Sequence, residues 1–360
     1  MSQEELAVHL VGSIPLADAE SVFENVGRIL EGSVKRIPDG ETGTRNNWIA
    51  WQLPLLKTNP NLEPDPDTAK PTGQSAEDGL AVDARSFRFL RVKQGVGEAE
   101  LNCQTEYARH ATASFQKFDD LQAAGKIPGG VRFQVSLPTP YAVASLYVSP
   151  GSWPVFLPAY ERAILRDLEI ITAYIPHERL AIQWDVCMEV MAWEGQLKSP
   201  EPDLKQFTFG SIARLCDAVP DPVEVGIHLC YGDPGHKHIV EPKDSEILVA
   251  LANGISAAAE RSLNWIHMPV PRERDDEAYF QALAELDLDA GCELYLGLIH
   301  ITDQDAGAAK RIRAARSVVA DFGIATECGF GRRPPDTVIP LLELHKRCAE
   351  AGVPGALGTD

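Results

Sequence analysis

The sequence has no excess of positive charge and no long apolar run. Its 360 residues include 33 basic and 52 acidic side chains, which gives a formal net charge of -19. Phosphate backbones and anionic lipid surfaces repel a chain this acidic, so we expect neither nucleic acid nor membrane as a partner. No segment is long and apolar enough to cross a bilayer, and the polar start MSQEEL is unlike a secretory signal. The expected location is the cytoplasm.

Cysteines are few, and their number is odd. The seven cysteines have no regular spacing, which argues against the paired framework of small disulfide-rich secreted domains. A reducing compartment fits this pattern and leaves thiols available as metal ligands. Five cysteines are interpreted as ordinary core or surface residues, namely Cys103, Cys187, Cys216, Cys292 and Cys348.

Apolar runs that alternate with helical patterns predict the fold. The eight candidate strands cover residues 6–11, 34–38, 131–137, 180–186, 224–230, 263–268, 293–299 and 322–326. Alternating strands and helices build parallel sheets with right-handed crossovers. We therefore predict an α/β protein, a single (β/α)8 TIM barrel over residues 1–360, with an inserted helical and loop segment at about 53–128 after the second strand. A doubly wound sheet is the competing architecture, but the chain has no phosphate-binding glycine fingerprint.

Polar residues collect at the predicted strand ends, where (β/α)8 barrels hold their active sites. These residues are Ser13, Glu41, Asp185, His228, Cys230, His267, His300 and Cys328. His228 and Cys230 lie two positions apart on one strand, so they point to the same side. Together with Cys328, which enters a glycine-rich loop, they offer an imidazole and two thiolates, a ligand set that suits zinc. Three unrelated packing residues, or a closed structural zinc site, are the alternatives.

With these motifs the chain resembles cobalamin-independent methionine synthase. More closely, it is similar to the single-barrel, zinc-dependent thiol alkyltransferases of the superfamily that also contains the uroporphyrinogen decarboxylases. The family's zinc-binding H-x-C pair and its late cysteine match His228, Cys230 and Cys328. The family adds a glutamate ligand, and His267 stands at the corresponding strand end here. The resemblance therefore implies a Zn²⁺ cofactor, with His267 as the fourth ligand or with three protein ligands.

The same resemblance implies which residues bind substrate. The family's G-S-F-P turn, which holds a carboxylate, is similar to residues 12–15 and includes Ser13. Its G-E and Q-I-D-E-P motifs, whose carboxylates hold an amino group, are similar to the segments around Glu41 and Asp185. Trp48, after Glu41, and Tyr141, after a strand end, are expected to contact the substrate as well.

A catalytic role is expected for two residues. Asp185 is one of them, because it faces the reacting amino thiol in the resemblance. His300 lies close to the position of the family's catalytic histidine and is expected to move protons, oriented by Asp303.

The activity that the resemblance implies is transfer of a methyl or other alkyl group to a small thiol, homocysteine-like or coenzyme-M-like, activated as a thiolate on zinc. The donor stays open, because the folate-binding loop of the family has no match here, and short relatives also use methyl-corrinoid proteins or epoxides. A corrinoid protein is therefore a candidate partner, and an oligomer is compatible with the sequence. Two alternatives remain: a lyase or decarboxylase of the uroporphyrinogen decarboxylase type, and a non-enzymatic barrel that binds zinc or a small ligand.

Overall fold

The structure, a computed structural model, describes residues 5–68, 89–233 and 238–352. The strands are β1 (Arg36–Pro38), β2 (Leu62–Pro64), β3 (Leu90–Val92), β4 (Arg132–Pro138), β5 (Leu180–Val186), β6 (Glu224–Leu229), β7 (Trp265–Pro269), β8 (Glu293–Ile299) and β9 (Gly323–Thr326). Within the described residues, seven of them form one parallel sheet in the order β1-β4-β5-β6-β7-β8-β9. Each strand of this sheet lies beside the strand of the sheet that comes next in the chain. The sheet therefore curls in one direction, as expected for successive strand–helix units.

Helices follow most of these strands. They are α1 (Ala19–Ile29), α2 (Gln52–Thr58), α3 (Tyr107–Ala123), α4 (Pro140–Tyr147), α5 (Trp153–Tyr174), α6 (Met188–Trp193), α7 (Leu204–Asp217), α8 (Glu246–Ala258), α9 (Glu277–Phe280), α10 (Gln304–Arg316) and α11 (Val338–Ala351). No helix among the described residues is both long and apolar enough to span a bilayer.

The predicted first strand, residues 6–11, is not a regular strand, and this corrects the prediction of a closed eight-stranded barrel. Val8 makes isolated parallel bridges to Val34 and to Ile324 in β9. The segment thus lies between the two edges of the seven-stranded sheet without forming a ladder with either. The result is an α/β fold with a curled parallel sheet, a half-barrel that is compatible with a TIM-like barrel.

Buried amides explain why this segment departs from strand geometry. The Gln134 side chain donates to the carbonyl oxygen of Leu10 at 3.0 Å, and the Gln183 side chain donates to that of Val11 at 2.6 Å. Backbone carbonyls that would bond to a neighbouring strand are therefore satisfied from the sheet interior. Since buried polar groups need partners, these two glutamines stabilise the irregular path.

Among the remaining elements, β5 and β8 have the predicted bounds. The helices α4, α6 and α9 and the short strands β2 and β3 were not predicted. The N-terminus of α4 carries a recognisable signal: Thr139 caps the helix by accepting from the Ala142 N–H, and Pro140 occupies the first turn.

The predicted insertion at about 53–128 contains α2, α3 and the antiparallel pair β2–β3. Part of this segment, residues 69–88, lies outside the described residues.

Glu189 on α6 makes the stability of the fold depend on pH. Burial raises the pKa of this carboxyl from 4.5 to about 7, against the lowering effect of Thr139. The folded chain therefore binds more protons than the unfolded chain between these values, and stability falls as the pH rises through this window. We expect the free energy of unfolding of Glu189→Gln, relative to that of wild type, to be higher at pH 8 than at pH 5 by up to about 3 kcal/mol.

Urea unfolding of both proteins at these two pH values measures this effect. Glu20→Gln, at an exposed position of α1, is the matched control and should leave the pH dependence of wild type unchanged. If Glu189→Gln changes the free energy of unfolding by the same amount at both pH values, Glu189 is not the source of the pH dependence.

Candidate metal and substrate site

A cavity of about 110 Å³ lies at the carboxyl ends of the strands, where loops after β1, β5, β6 and β9 meet. Three of the predicted metal ligands line it, namely His228, Cys230 and Cys328. The predicted substrate-binding residues Ser13, Glu41, Trp48 and Asp185 line the same cavity. The sheet thus brings together residues that are more than 300 positions apart in the sequence.

The three metal-ligand candidates are close enough to share one ion. Their ligand atoms all lie within 4.8 Å of one another, and the Sγ atoms of Cys230 and Cys328 are 3.9 Å apart. Two sulfurs bound to a tetrahedral zinc ion at about 2.3 Å stand roughly 3.8 Å from each other. The spacing of the two cysteines therefore fits a shared zinc ion.

Hydrogen bonds fix the tautomer of His228 in the form that binds a metal. Nε2 of His267 lies 3.0 Å from the carbonyl oxygen of Thr326, which can only accept, so this nitrogen carries a proton. Burial lowers the pKa of His267 to about 3, which leaves the ring neutral and its Nδ1 an acceptor. Nδ1 of His228, 2.7 Å away, must then donate. Nε2 of His228 keeps its lone pair, is buried, and has no hydrogen-bond partner among the described residues.

His267 contacts His228 and not the two cysteines. The two histidines are paired in register on β6 and β7, and both ring nitrogens of His267 have other partners. The structure therefore does not place His267 with the group of three, although the sequence made it a ligand candidate. Its position is that of a residue that would orient His228 if His228 bound a metal ion.

The environment of the two thiols favours their protonated forms until a cation binds. The neighbouring Cys187 thiol and burial raise the pKa of Cys230, while Cys328 lowers it. The Cys230 thiol and burial raise the pKa of Cys328. Cys187, which was predicted to be an ordinary core or surface residue, also lines the cavity. Its place two positions after Asp185, at a strand end, is the signal in the sequence that points to this position.

A second part of the cavity holds two buried carboxyl groups. The Ser13 hydroxyl donates to Oε2 of Glu41 at 2.5 Å, and the Gln183 amide donates to Oδ1 of Asp185 at 2.9 Å. Burial raises the pKa of Glu41 to about 7. Burial and the charge of Glu41 raise the pKa of Asp185 well above its usual range. An ammonium group between them would lower both pKa values, because an opposite charge favours the ionised form.

The loop that carries Glu41 has a constrained backbone. Gly40 has a φ of 77°, and a Cβ atom there would approach the Val22 side chain to 2.7 Å. Glu41 itself has a φ of 46°, in the left-handed region that side chains rarely adopt. The N–H of Glu41 donates to Asp39 at 2.8 Å, which holds this conformation. Strain of this kind is common where a side chain is positioned for binding.

His300 lies behind the cavity, and its partner differs from the one predicted. Its Nε2 bonds to the carbonyl oxygen of Val270 at 2.9 Å, and its Nδ1 lies 3.4 Å from Glu327. Asp303 instead forms a two-point ion pair with Arg311, so the prediction that it orients His300 is wrong. His300 does not line the cavity. It belongs to a buried charge cluster with Arg333 and with Glu327, the residue that precedes Cys328.

The two predicted aromatic contacts have different outcomes. Trp48 lines the cavity, in a turn with a φ of 43° that precedes α2, and its side chain hydrogen bonds to Asp185. Tyr141 lines a separate cavity of about 380 Å³, and its ring packs against Trp153 at 5.1 Å between centroids. The reason is that α4 begins directly after β4 and carries Tyr141 away from the strand ends.

Fold and site together define a class: α/β proteins whose curled parallel sheet brings a His-Cys-Cys group and two buried carboxyls to its carboxyl edge. Several solved structures share this fold, and two of them are named as B12-independent methionine synthases. One is a candidate vitamin-B12-independent methionine synthase of Listeria monocytogenes, 11% identical, with a TM-score of 0.55 over 97% of this chain and 99% of that one. The other is a B12-independent methionine synthase of Shewanella sp. W3-18-1 in complex with selenomethionine, 12% identical, with a TM-score of 0.60 over 96% and 97%. No protein-family profile matches the chain, and no curated protein does.

Proposed function

We propose that this chain is a zinc-dependent enzyme that transfers a methyl or other alkyl group to a small thiol. One observation carries the proposal: a buried imidazole nitrogen with a free lone pair and two thiols lie within 4.8 Å of one another in a cavity that also contains two buried carboxyls. An imidazole and two thiols that can bind a metal ion, next to two carboxyls that can bind an ammonium group, suit an amino thiol as the substrate. The likeness in fold to two proteins named as methionine synthases supports the same activity.

Three residues would hold the zinc ion: His228 through Nε2, and Cys230 and Cys328 through sulfur. Bound zinc would supply Lewis acidity without redox activity and would take up the substrate sulfur as a thiolate, the nucleophilic form. The thiol and the imidazole of this set match the ligand preferences of zinc.

The other cavity residues would bind and orient the thiol. Glu41 and Asp185 would pair with its ammonium group. The Ser13 hydroxyl is engaged with Glu41, so it positions this carboxylate in our proposal. Arg332 lines the cavity and brings a positive charge that can receive an anionic group of the thiol or the donor. An apolar wall that includes Ile49, Leu146 and Met188 keeps water away from the reacting sulfur.

A direct assay tests the proposed function. Zinc-loaded protein is incubated with homocysteine or 2-mercaptoethanesulfonate and, in separate arms, with methyl-tetrahydrofolate, methylcobalamin or a short epoxide. The thioether product is measured by mass spectrometry. We expect a product with one thiol and one donor, its loss after metal chelation, and its return when zinc is added. Equal product with metal-free protein would contradict zinc dependence, whereas carbon dioxide as the product of a carboxylated substrate would favour the lyase or decarboxylase alternative.

Changing His267 should weaken zinc binding without removing a ligand. His267→Leu deletes the acceptor that holds the Nδ1 proton of His228, so the metal-binding tautomer is no longer favoured. We expect zinc affinity to fall by about 10- to 100-fold, the range typical for residues that orient metal ligands. Competition with a chromophoric chelator measures this change.

His267→Gln is the matched variant, because its amide can accept from His228 and donate to Thr326. It should retain more affinity than His267→Leu. If both variants bind zinc as tightly as wild type, the orienting role is wrong; equal losses would indicate a packing effect.

A further inference from the structure

Cys187 is a third thiol beside the metal-ligand candidates. It follows β5 as Cys230 follows β6, and these strands pair in register up to Val186 and Leu229. The N–H of Cys230 donates to the carbonyl oxygen of Val186 at 3.1 Å, so the alignment continues beyond the strands. Cys187 and Cys230 are therefore neighbours across two parallel segments, and both line the cavity.

The group of three leaves one position of a tetrahedral ion without a protein ligand. His267 has partners at both ring nitrogens, and the Asp233 carboxylate, which also lines the cavity, faces Arg332 at 3.7 Å. Cys187 lies outside the group within 4.8 Å. The side chains of Cys187 and Cys230 interact directly, and a change of χ1 between staggered wells moves a cysteine sulfur by roughly 3 Å. The buried His228 Nε2 has no hydrogen-bond partner among the described residues, which leaves its lone pair available to the same ion.

We propose that Cys187 is the fourth protein ligand of the resting metal centre and that the substrate thiol displaces it. The inference rests on the proposed function and adds a selection step to it. In the exchange, the bond between Cys187 sulfur and the metal breaks, a bond from the substrate sulfur forms, and the proton of the entering thiol passes to Cys187. The total charge and the number of protons in the metal site and the two thiols stay constant.

This exchange would make the site selective for thiols. Only another soft, anionic sulfur competes well with a thiolate for zinc, whereas alcohols, amines and carboxylates do so poorly. The Glu41 and Asp185 carboxyls in the same cavity would then add affinity for thiols that carry an ammonium group.

X-ray absorption at the zinc edge tests the exchange, because sulfur and selenium neighbours are distinguishable. Wild-type protein is measured at rest and with the small selenol 2-aminoethaneselenol under reducing conditions. We expect three sulfurs and one nitrogen at rest, and two sulfurs, one selenium and one nitrogen with the selenol. Cys187→Ser should have two sulfurs at rest and bind selenium equally.

The outcomes separate this inference from the proposed function. Two sulfurs at rest in wild type, followed by selenium binding, would overturn the role of Cys187 and leave thiol activation intact. Absence of selenium from the zinc shell of wild type would overturn both. Three sulfurs that persist beside selenium would also contradict displacement.

Proton counting provides a second measurement. Binding of 2-mercaptoethanesulfonate, which has no ammonium group to displace protons from Glu41 and Asp185, to zinc-loaded wild type in weak buffer should release no net proton, whereas Cys187→Ser should release about one, since a free thiol is protonated at neutral pH. Cys103→Ser, a buried cysteine of the same hydrophobic cluster that does not line the cavity, is the control and should behave as wild type. Release of a proton by wild type would overturn the proposal.

Discussion

Replacing Cys328 with serine is expected to remove most of the bound zinc, from about one ion per chain to a small fraction of this amount. Four-ligand zinc sites have apparent binding free energies of about 10–16 kcal/mol, or roughly 2.5–4 kcal/mol per ligand. Losing one thiolate should therefore lower zinc affinity by about 100- to 1,000-fold. Cys230→Ser should have the same effect, because its sulfur lies 3.9 Å from that of Cys328. Elemental analysis after dialysis against a chelator of known affinity measures the change.

Two controls make this result specific to the site. Cys103→Ser and Cys292→Ser change thiols that do not line the cavity, and both variants should retain zinc. Thermal unfolding of metal-free samples should be similar in wild type and in Cys328→Ser, because the serine replaces a sulfur without changing the shape of the side chain. Stoichiometric zinc in the double variant Cys230→Ser/Cys328→Ser would remove the basis of the proposed function.

The convergence of His228, Cys230 and Cys328 could be predicted from the sequence because parallel strands end at one edge of a sheet. A polar residue at a strand end is therefore close to the polar residues at neighbouring strand ends, whatever their separation in the chain. The role of His267 could not be predicted in this way. It depends on the register that sets it opposite His228, and a single sequence does not fix the register of two parallel strands.

The first segment shows a second limit of pattern-based prediction. Residues 6–11 have the composition of a buried strand, yet the carbonyl groups of Leu10 and Val11 bond to the side chains of Gln134 and Gln183. These amides come from β4 and β5, more than 120 positions away. Local propensity contains no information on such partners, so a run of apolar residues was interpreted as a regular strand. Tyr141 lies elsewhere than predicted for a related reason. Because α4 begins directly after β4, the chain turns and carries Tyr141 to a separate cavity.

The largest effect on substrate preference is expected from Asp185→Asn. The buried carboxylate would pair with the ammonium group of an amino thiol, and removing one partner of a buried charge pair costs about 2–5 kcal/mol. We expect the affinity for homocysteine to fall by at least about 30-fold. The affinity for 2-mercaptoethanesulfonate, which has no ammonium group, should be unchanged or higher. Titration of cobalt-substituted protein, followed through its sulfur-to-metal absorption, measures both constants.

The pH dependence of homocysteine binding, which Glu41 is expected to cause, distinguishes two effects. One is the loss of a charge pair with the ammonium group, and the other is a change in the shape of the cavity. Burial raises the pKa of Glu41 to about 7, so the free protein carries a proton there at lower pH, and this proton must leave when an ammonium binds. Affinity of wild type for homocysteine should therefore rise with pH through about 7, and Glu41→Gln should remove the part of the rise that Glu41 causes. Any rise that remains in Glu41→Gln belongs to Asp185, whose pKa burial also raises. The affinity for 2-mercaptoethanesulfonate should not show this rise in either protein. If Asp185→Asn weakens the binding of both thiols equally, or if Glu41→Gln leaves the pH profile unchanged, the two carboxyls support the structure of the cavity and do not recognise an amino group.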